Sequence, residues 1–170
     1  MPLLSRVLAL ATAAFSLFAL LGCDPQRIRE LQPGVATEAD VRDRFGAPDN
    51  IWDEADGART FEYNRQPAGQ VNYMITLGAD GRLVGVRQVL TAENFAHITP
   101  GMDMAQVRRS LGKPAKVTTY RLSGETHHDW RFAELPNIPK MFTVVTRDGS
   151  TVLRTQIGPD MDAPENKGGR

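Results

Sequence analysis

The stretch IRELQPGVATEADVRDRFGAPDNI, residues 28–51, returns in altered form as FAHITPGMDMAQVRRSLGKPAKV, residues 95–117. Ile28 aligns with Phe95, Leu31 with Ile98, and Pro33-Gly34 with Pro100-Gly101. After a one-residue deletion, Val41-Arg42 aligns with Val107-Arg108, Phe45-Gly46 with Leu111-Gly112, and Pro48 with Pro114. The offset of about 67 residues exceeds the roughly 20–50 of a solenoid unit. It predicts two copies of a small α+β module rather than an array.

Each copy carries the same local chemistry. A short first helix, over residues 25–31 and again over 92–98 with Thr91 as its cap, must stop at Pro-Gly, which cannot continue it. Thr37 then caps a second helix with Asp40 three residues on, and Asp103 with Gln106 repeats that reciprocal arrangement. Val41 and Phe45, like Val107 and Leu111, stand at i and i+4 and give each helix one apolar stripe. Gly46 and Gly112 suit a left-handed residue at the helix end, and Pro48 and Pro114 block extension. Strand periodicity follows: Phe61 and Tyr63, then Val71, Tyr73, Ile75 and Leu77 before the Asp80-Gly81 turn. The second copy offers Trp130 and Phe132 for Phe61 and Tyr63, then Phe142, Val144 and Asp148-Gly149. The expected fold is α+β: two tandem helix-helix-β-β-β repeats, residues 23–90 and 91–157. In each, an antiparallel sheet lays its apolar face on a short helix pair and leaves the other face wet. Whether the two repeats share one sheet stays open. Residues 158–170, rich in Pro, Gly, Asp, Asn and Lys, are expected to form a disordered tail.

Ahead of the first copy, residues 1–22 have the form of a signal peptide. Arg6 supplies positive charge, and residues 7–21 are apolar apart from Thr12 and Ser16, too short for the roughly 20 residues of a spanning helix. Leu20-Leu21-Gly22-Cys23 has the pattern of a bacterial lipoprotein signal, with Cys23, the chain's single cysteine, as the lipid-attachment residue. The competing reading is an ordinary signal peptide followed by an incidental cysteine. Lipidation explains an otherwise odd free thiol in an exported chain. It predicts a protein held on the periplasmic side of the cell envelope through acyl chains at its amino terminus. Asp24 carries two readings. It is an inner-membrane sorting residue in enteric bacteria, against an otherwise favoured outer-membrane destination, and it is also a helix N-cap before Pro25. From Cys23 to Leu31 is at most about 28 Å of extended chain, so the module would lie close to the bilayer.

Cleavage removes one charge, Arg6, and leaves 19 basic against 20 acidic residues. A near-neutral chain lacks the basic footprint of nucleic-acid binding or of a polybasic membrane patch. For a metal, His127-His128-Asp129 is the only histidine cluster, but adjacent strand residues point to opposite faces, and His97 is the one further histidine. No metal site and no cofactor is expected. Neither a nucleophile elbow nor a Gly-rich phosphate loop is present, Asp53-Glu54 reads as loop charge, and Trp52 and Trp130 read as core or sheet-face residues. The chain is read as non-enzymatic; a hydrolytic envelope enzyme has only the compartment in its favour.

Helix, Pro-Gly, capped helix ending in Phe-Gly-x-Pro, and an aromatic hairpin together resemble the SmpA/OmlA domain of the BamE family of outer-membrane lipoproteins. The likeness covers roughly residues 20–90. Within it, Phe61-Glu62-Tyr63-Asn64-Arg65-Gln66-Pro67-Ala68-Gly69 resembles that family's aromatic-Tyr strand leading into an Arg-Gln-Gln-Pro-Gly loop. The second copy has Arg131-Phe132-Ala133-Glu134-Leu135-Pro136 at that point, and the family has one such unit where this chain has two. The resemblance implies a non-catalytic accessory of outer-membrane protein assembly. It also implies that Tyr63, Arg65, Gln66 and Pro67 form a surface binding proteins of the β-barrel assembly machinery and phosphatidylglycerol headgroups. The tandem plan also resembles β-lactamase inhibitor protein, which implies an inhibitor- or sensor-type periplasmic binding module instead. With 7% aromatic residues, most of them needed by the cores, an aromatic-anchored inhibitor surface is the weaker expectation.

Overall fold

The computed structural model describes residues 24–147 and 149–163. The signal segment 1–22, Cys23, the Asp24 and Pro25 side chains, Asp148 and residues 164–170 lie outside the described residues, and with them the expectations placed there.

The architecture is α+β, with two four-stranded antiparallel sheets and few helices. The chain runs α1 (Asp24–Arg29), α2 (Glu38–Phe45), β1 (Asn50–Asp53), β2 (Arg59–Asn64), β3 (Asn72–Leu77) and β4 (Leu83–Gln88). It continues α3 (Ala92–Ala96), α4 (Met104–Leu111), β5 (Lys116–Tyr120), β6 (Glu125–Glu134), β7 (Ile138–Arg147) and β8 (Thr151–Pro159). The sheets are separate meanders, β1-β2-β3-β4 and β5-β6-β7-β8, so no strand joins the halves. Each half holds four strands where the sequence predicted three. The additional ones, β1 and β5, are edge strands with exposed side chains, and neither has the buried alternation that marks a strand in sequence.

The caps form as the residues require. Thr37 accepts from the Asp40 N–H while the Asp40 carboxylate takes the Thr37 N–H at 2.8 Å, and Asp103 with Gln106 makes the same box on α4. Gly46 and Gly112 end these helices at φ 82°, ψ −160° and φ 76°, ψ −172°. This is not the left-handed helical well expected. It is an extended conformation at positive φ that glycine alone occupies readily, which makes the requirement for glycine stricter. The Pro-Gly segments do more than stop a helix. Gly34 N–H donates to Leu83 O (2.8 Å) and Gly101 N–H to Val152 O (2.8 Å), tying each helix pair to the first residues of its last strand.

Two cores result. Leu31, just past α1, and Val41 and Phe45 of α2 close on Phe61, Tyr63, Tyr73, Ile75, Leu77 and Leu83. Phe95, Ile98, Val107 and Leu111 close on Trp130, Phe132, Phe142, Val144 and Val152. Phe95 stacks on Phe142 with centroids 4.1 Å apart and meets Phe132 edge-on at 4.9 Å, the offset and T-shaped geometries that aromatic quadrupoles favour. The second core also takes in Met74, Val89 and Leu90 from the first half. Met74 lies on the face of the first sheet turned away from α1 and α2, so α3 and α4 sit between the sheets and the layers run helices, sheet, helices, sheet. The expectation of one wet face per sheet therefore fails for the first: Thr60, Phe61, Glu62 and Tyr63 are all buried in succession along β2. In the second sheet it holds along β6, where residues 125–132 alternate half-buried and buried, but fails along β7, where Phe142, Thr143, Val144, Val145 and Thr146 are buried in succession.

The carboxy-terminal expectation also shifts. β8 runs to Pro159, Asp160 is buried with its carboxylate 2.7 Å from Arg131 Nε, and Ala163 is buried. A structureless tail starting at 158 is placed too early, because one ion pair anchors the residues that follow the strand.

Candidate functional site

Strand register fixes which positions of the two halves correspond. Asn50 pairs with Glu62 and Lys116 with Asp129, each just after the proline that follows the helix-ending glycine. Glu62 therefore corresponds to Asp129, Tyr63 to Trp130, Phe61 to His128 and Asn64 to Arg131. This lies two residues from the sequence pairing of Phe61 with Trp130, because two aromatic positions on one face leave an alternating pattern free to slip by one repeat. The corrected match has a physical signature: Tyr63 Oη donates to Gly46 O (3.1 Å) and Trp130 Nε1 donates to Gly112 O (3.0 Å). Burial pushes the Tyr63 hydroxyl up to about 12, so it remains a donor.

The seam between the halves is the chemically richest region. Glu62, with no exposed side-chain surface, accepts from Arg108 Nη1 at 3.0 and 3.3 Å and from the Lys113 N–H at 2.7 Å. Asn72 donates to the carbonyls of Leu111 (2.9 Å) and Lys113 (3.2 Å). The back of the first sheet thus supplies the partners that the end of α4 lacks. A carboxylate buried with an arginine and a backbone donor is satisfied rather than reactive.

Of the loop singled out by resemblance, Gln66 and Pro67 contact the other half of the chain, while Tyr63 and Arg65 pack against their own. Tyr63 is core. Gln66 spans the backbone of Arg131, Oε1 accepting its N–H (3.0 Å) and Nε2 donating to its carbonyl (2.9 Å). Arg131 Nη1 in turn donates to Pro67 O (2.7 Å). The reason is local. In the first half the corresponding Asn64 N–H is met by the Asp49 carboxylate at 2.7 Å, but the residue matching Asp49 is Ala115, which has no side-chain acceptor. Gln66 reaches across and fills the open edge of β6 in its place. Arg65 is half-buried, with its guanidinium 5.8 Å above the Phe45 ring.

At another point on the seam lies a polar cleft of about 430 Å³, with Trp52, Glu54, Thr60 and Arg87 on the sheet side and Asn94, His97, Arg109 and Ser110 on the helix side. Glu54 lies in the loop after β1, as read, but its charge is partnered: it pairs with Arg109 and accepts from Thr60 Oγ1 (3.0 Å). Sequence reasoning missed this cleft because its walls come from several separate strands and helices that share no motif. A third feature is an apolar groove of about 440 Å³ beside the β6–β7 turn, where Leu90, Phe132, Leu135 and Ile157 meet.

The two adjacent histidines take opposite faces. His127 lies on the outer face against Tyr120, with ring centroids 4.7 Å apart. His128 is buried beside Thr146, Nε2 to Oγ1 3.2 Å, and burial holds it below the ordinary imidazole value. Among the described residues no group of three or more His, Cys, Asp and Glu could hold a metal ion, and no helix is long and apolar enough to cross a membrane.

No family model matches the chain, and no curated protein matches it. A solved structure, that of a DUF4309 family protein (YjgB) from Bacillus subtilis subsp. subtilis str. 168, is similar to it at 19% sequence identity. That alignment covers 80% of this chain and 86% of the other, with a TM-score of 0.33.

Proposed function

We propose that the chain is a lipid-anchored, non-catalytic accessory on the periplasmic side of the envelope, of the BamE kind, that serves outer-membrane protein assembly by binding protein. We read its two halves as a tandem duplication of one helix-helix-sheet module, and Cys23 as the lipid-bearing residue, with the outer membrane as its destination. The observation that supports a binding role is the apolar surface at the far end of the second sheet. Leu135 is 90% exposed at the rim of the groove formed with Leu90, Phe132 and Ile157, and Ile138 is 48% exposed in the same hairpin. Apolar side chains gathered beside a concave apolar surface gain about 25 cal/mol per Å² when a partner covers them, which is why such patches mark interfaces. Of the loop residues assigned to partner or headgroup binding, Tyr63 is core and Gln66 and Pro67 contact Arg131; Arg65, half-buried with its guanidinium over the Phe45 ring, is the one kept for testing.

The test is crosslinking of the tagged, lipidated protein in intact cells, followed by identification of what copurifies from solubilised membranes. Recovery of β-barrel assembly proteins, reduced by Leu135→Asp, supports the reading. Their absence, or recovery that Leu135→Asp and Arg65→Ala both leave unchanged, overturns it. The inhibitor- or sensor-type reading is favoured by a different observation, the polar cleft at the seam, whose chemistry stands apart from any assembly role.

A further inference from the structure

Three side chains of the cleft, Trp52, Arg87 and Arg109, can only donate hydrogen bonds; the others accept, do both or are apolar. Trp52 Nε1 is buried and finds no hydrogen-bond partner among the described residues. A buried donor left unmet is costly, and native folds rarely tolerate one without a reason. The carboxylate in the cleft wall, Glu54, is already taken by Arg109 and the Thr60 hydroxyl. Arg109 also lies with its guanidinium 5.6 Å over the Trp52 ring, so one cation is fixed against the indole. Arg87 lines the same space and makes no ion pair or side-chain hydrogen bond among the described residues, and Ser110 adds a hydroxyl. Two guanidinium groups against one engaged carboxylate leave positive charge, and the indole N–H and Arg87 have no acceptor. Arg87 is exposed, so its charge is solvated and its guanidinium is available to an anion entering the cleft.

From this geometry we propose that the cleft between Trp52, Arg87 and Arg109 binds a small solute through an oxyanion, a phosphate or carboxylate group. Such a group is acceptor-only, matches the fork of Arg87, and supplies the indole N–H with the acceptor it lacks. The site spans both halves of the chain, β1 and β4 on one side and α4 on the other. It requires neither a lipid anchor nor a protein partner, so it stands or falls separately from the assembly reading.

The test uses the indole N–H resonances of the ¹⁵N-labelled full-length chain, which has two tryptophans. Trp130 is the internal reference, because its indole already donates to Gly112 O in the core. The peaks are assigned with Trp52→Phe, and sodium phosphate and sodium acetate are titrated separately at constant ionic strength. The expected result is a saturable shift of the Trp52 resonance with at least one anion, Trp130 staying still. Arg87→Gln should raise the half-saturation concentration about tenfold, the scale of one charge-assisted hydrogen bond. Saturation by phosphate alone assigns a phosphate-type group, and saturation by acetate a carboxylate. If neither anion gives a saturable shift, if both indoles drift together, or if Arg87→Gln leaves the titration unchanged, the proposal is wrong.

Discussion

Glu62 and Asp129 occupy the same place in the two halves: an acidic residue on the second face of the second strand, one position before the aromatic donor that bonds the helix-ending glycine. Their surroundings differ completely. Glu62 is buried against α4 and holds Arg108 and the Lys113 N–H. Asp129 is half-buried on the outer face of the second sheet, where it accepts from Thr143 Oγ1 at 2.6 Å. Similar chemistry at equivalent positions therefore takes its role from whatever layer covers that face of the sheet. In the first half that layer is the other half of the molecule.

The largest consequence is an asymmetry of stability. Glu62→Ala leaves a partly buried arginine and a backbone donor without their acceptor, and should cost about 3–5 kcal/mol. Asp129→Ala, removing one hydrogen bond at a half-exposed site, should cost about 1 kcal/mol. Urea unfolding of the two variants measures both losses. Equal losses would mean that the seam contributes no more than an open sheet face does, and the layered account would fail.

The helix-ending glycines sharpen the same comparison with a smaller effect. Both hold positive φ, so alanine is strained at either, at a cost of about 1–3 kcal/mol. They differ in what a new Cβ meets. At Gly46 nothing lies within 4 Å, whereas at Gly112 the atom would stand 3.0 Å from Asn72 Nδ2 and 3.1 Å from Glu62 Oε1. Gly112→Ala should therefore destabilise more than Gly46→Ala, by about 1 kcal/mol from the added overpacking. Its excess should shrink in a Glu62→Ala background, a coupling that thermal unfolding of the double-mutant cycle reads directly.

The sequence carried what is local and withheld what crosses between halves. Capping boxes, Pro-Gly stops, helix-ending glycines and the apolar stripes of Val41, Phe45, Val107 and Leu111 were legible because each depends on residues within one turn. β1 and β5 were not, since an edge strand needs no buried alternation. The alignment of Phe61 with Trp130 slipped by one side-chain repeat for want of any local marker to fix it. The role of Glu62 was invisible for a different reason. Between Phe61 and Tyr63 it reads as the wet face of a strand, and only a second layer turns it inward. The loop at Gln66 was singled out by resemblance, but its contact depends on Ala115 lacking the carboxylate that Asp49 supplies. That difference of one residue has meaning only once the strands are paired.

The smallest expected effect concerns the position matched by Phe61 and His128. In the first half it holds a fully buried phenyl ring, which does not titrate. In the second it holds an imidazole whose pKa burial lowers; Asp129 opposes that shift and His127 adds to it. Thr146 Oγ1 donates to Thr126 O at 3.3 Å, so it accepts from His128, and the neutral ring carries its proton on Nε2. A lowered folded value means that the unfolded chain binds the proton first as pH falls. Stability from this residue is thus complete above the ordinary histidine value and declines as pH drops through it toward the folded value. Glu125, half-buried and held at about 2 by its hydrogen-bonded pair with Arg154, loses its contribution only as pH falls from the ordinary carboxylate range through about 2, a separate window. Urea unfolding from neutral to mildly acidic pH should show declining stability. His128→Gln, which keeps a donor for Thr146 without a titrating group, should flatten that decline. A decline that persists in full in His128→Gln would place the titrating group elsewhere, and this slot would then behave in both halves as an ordinary buried position.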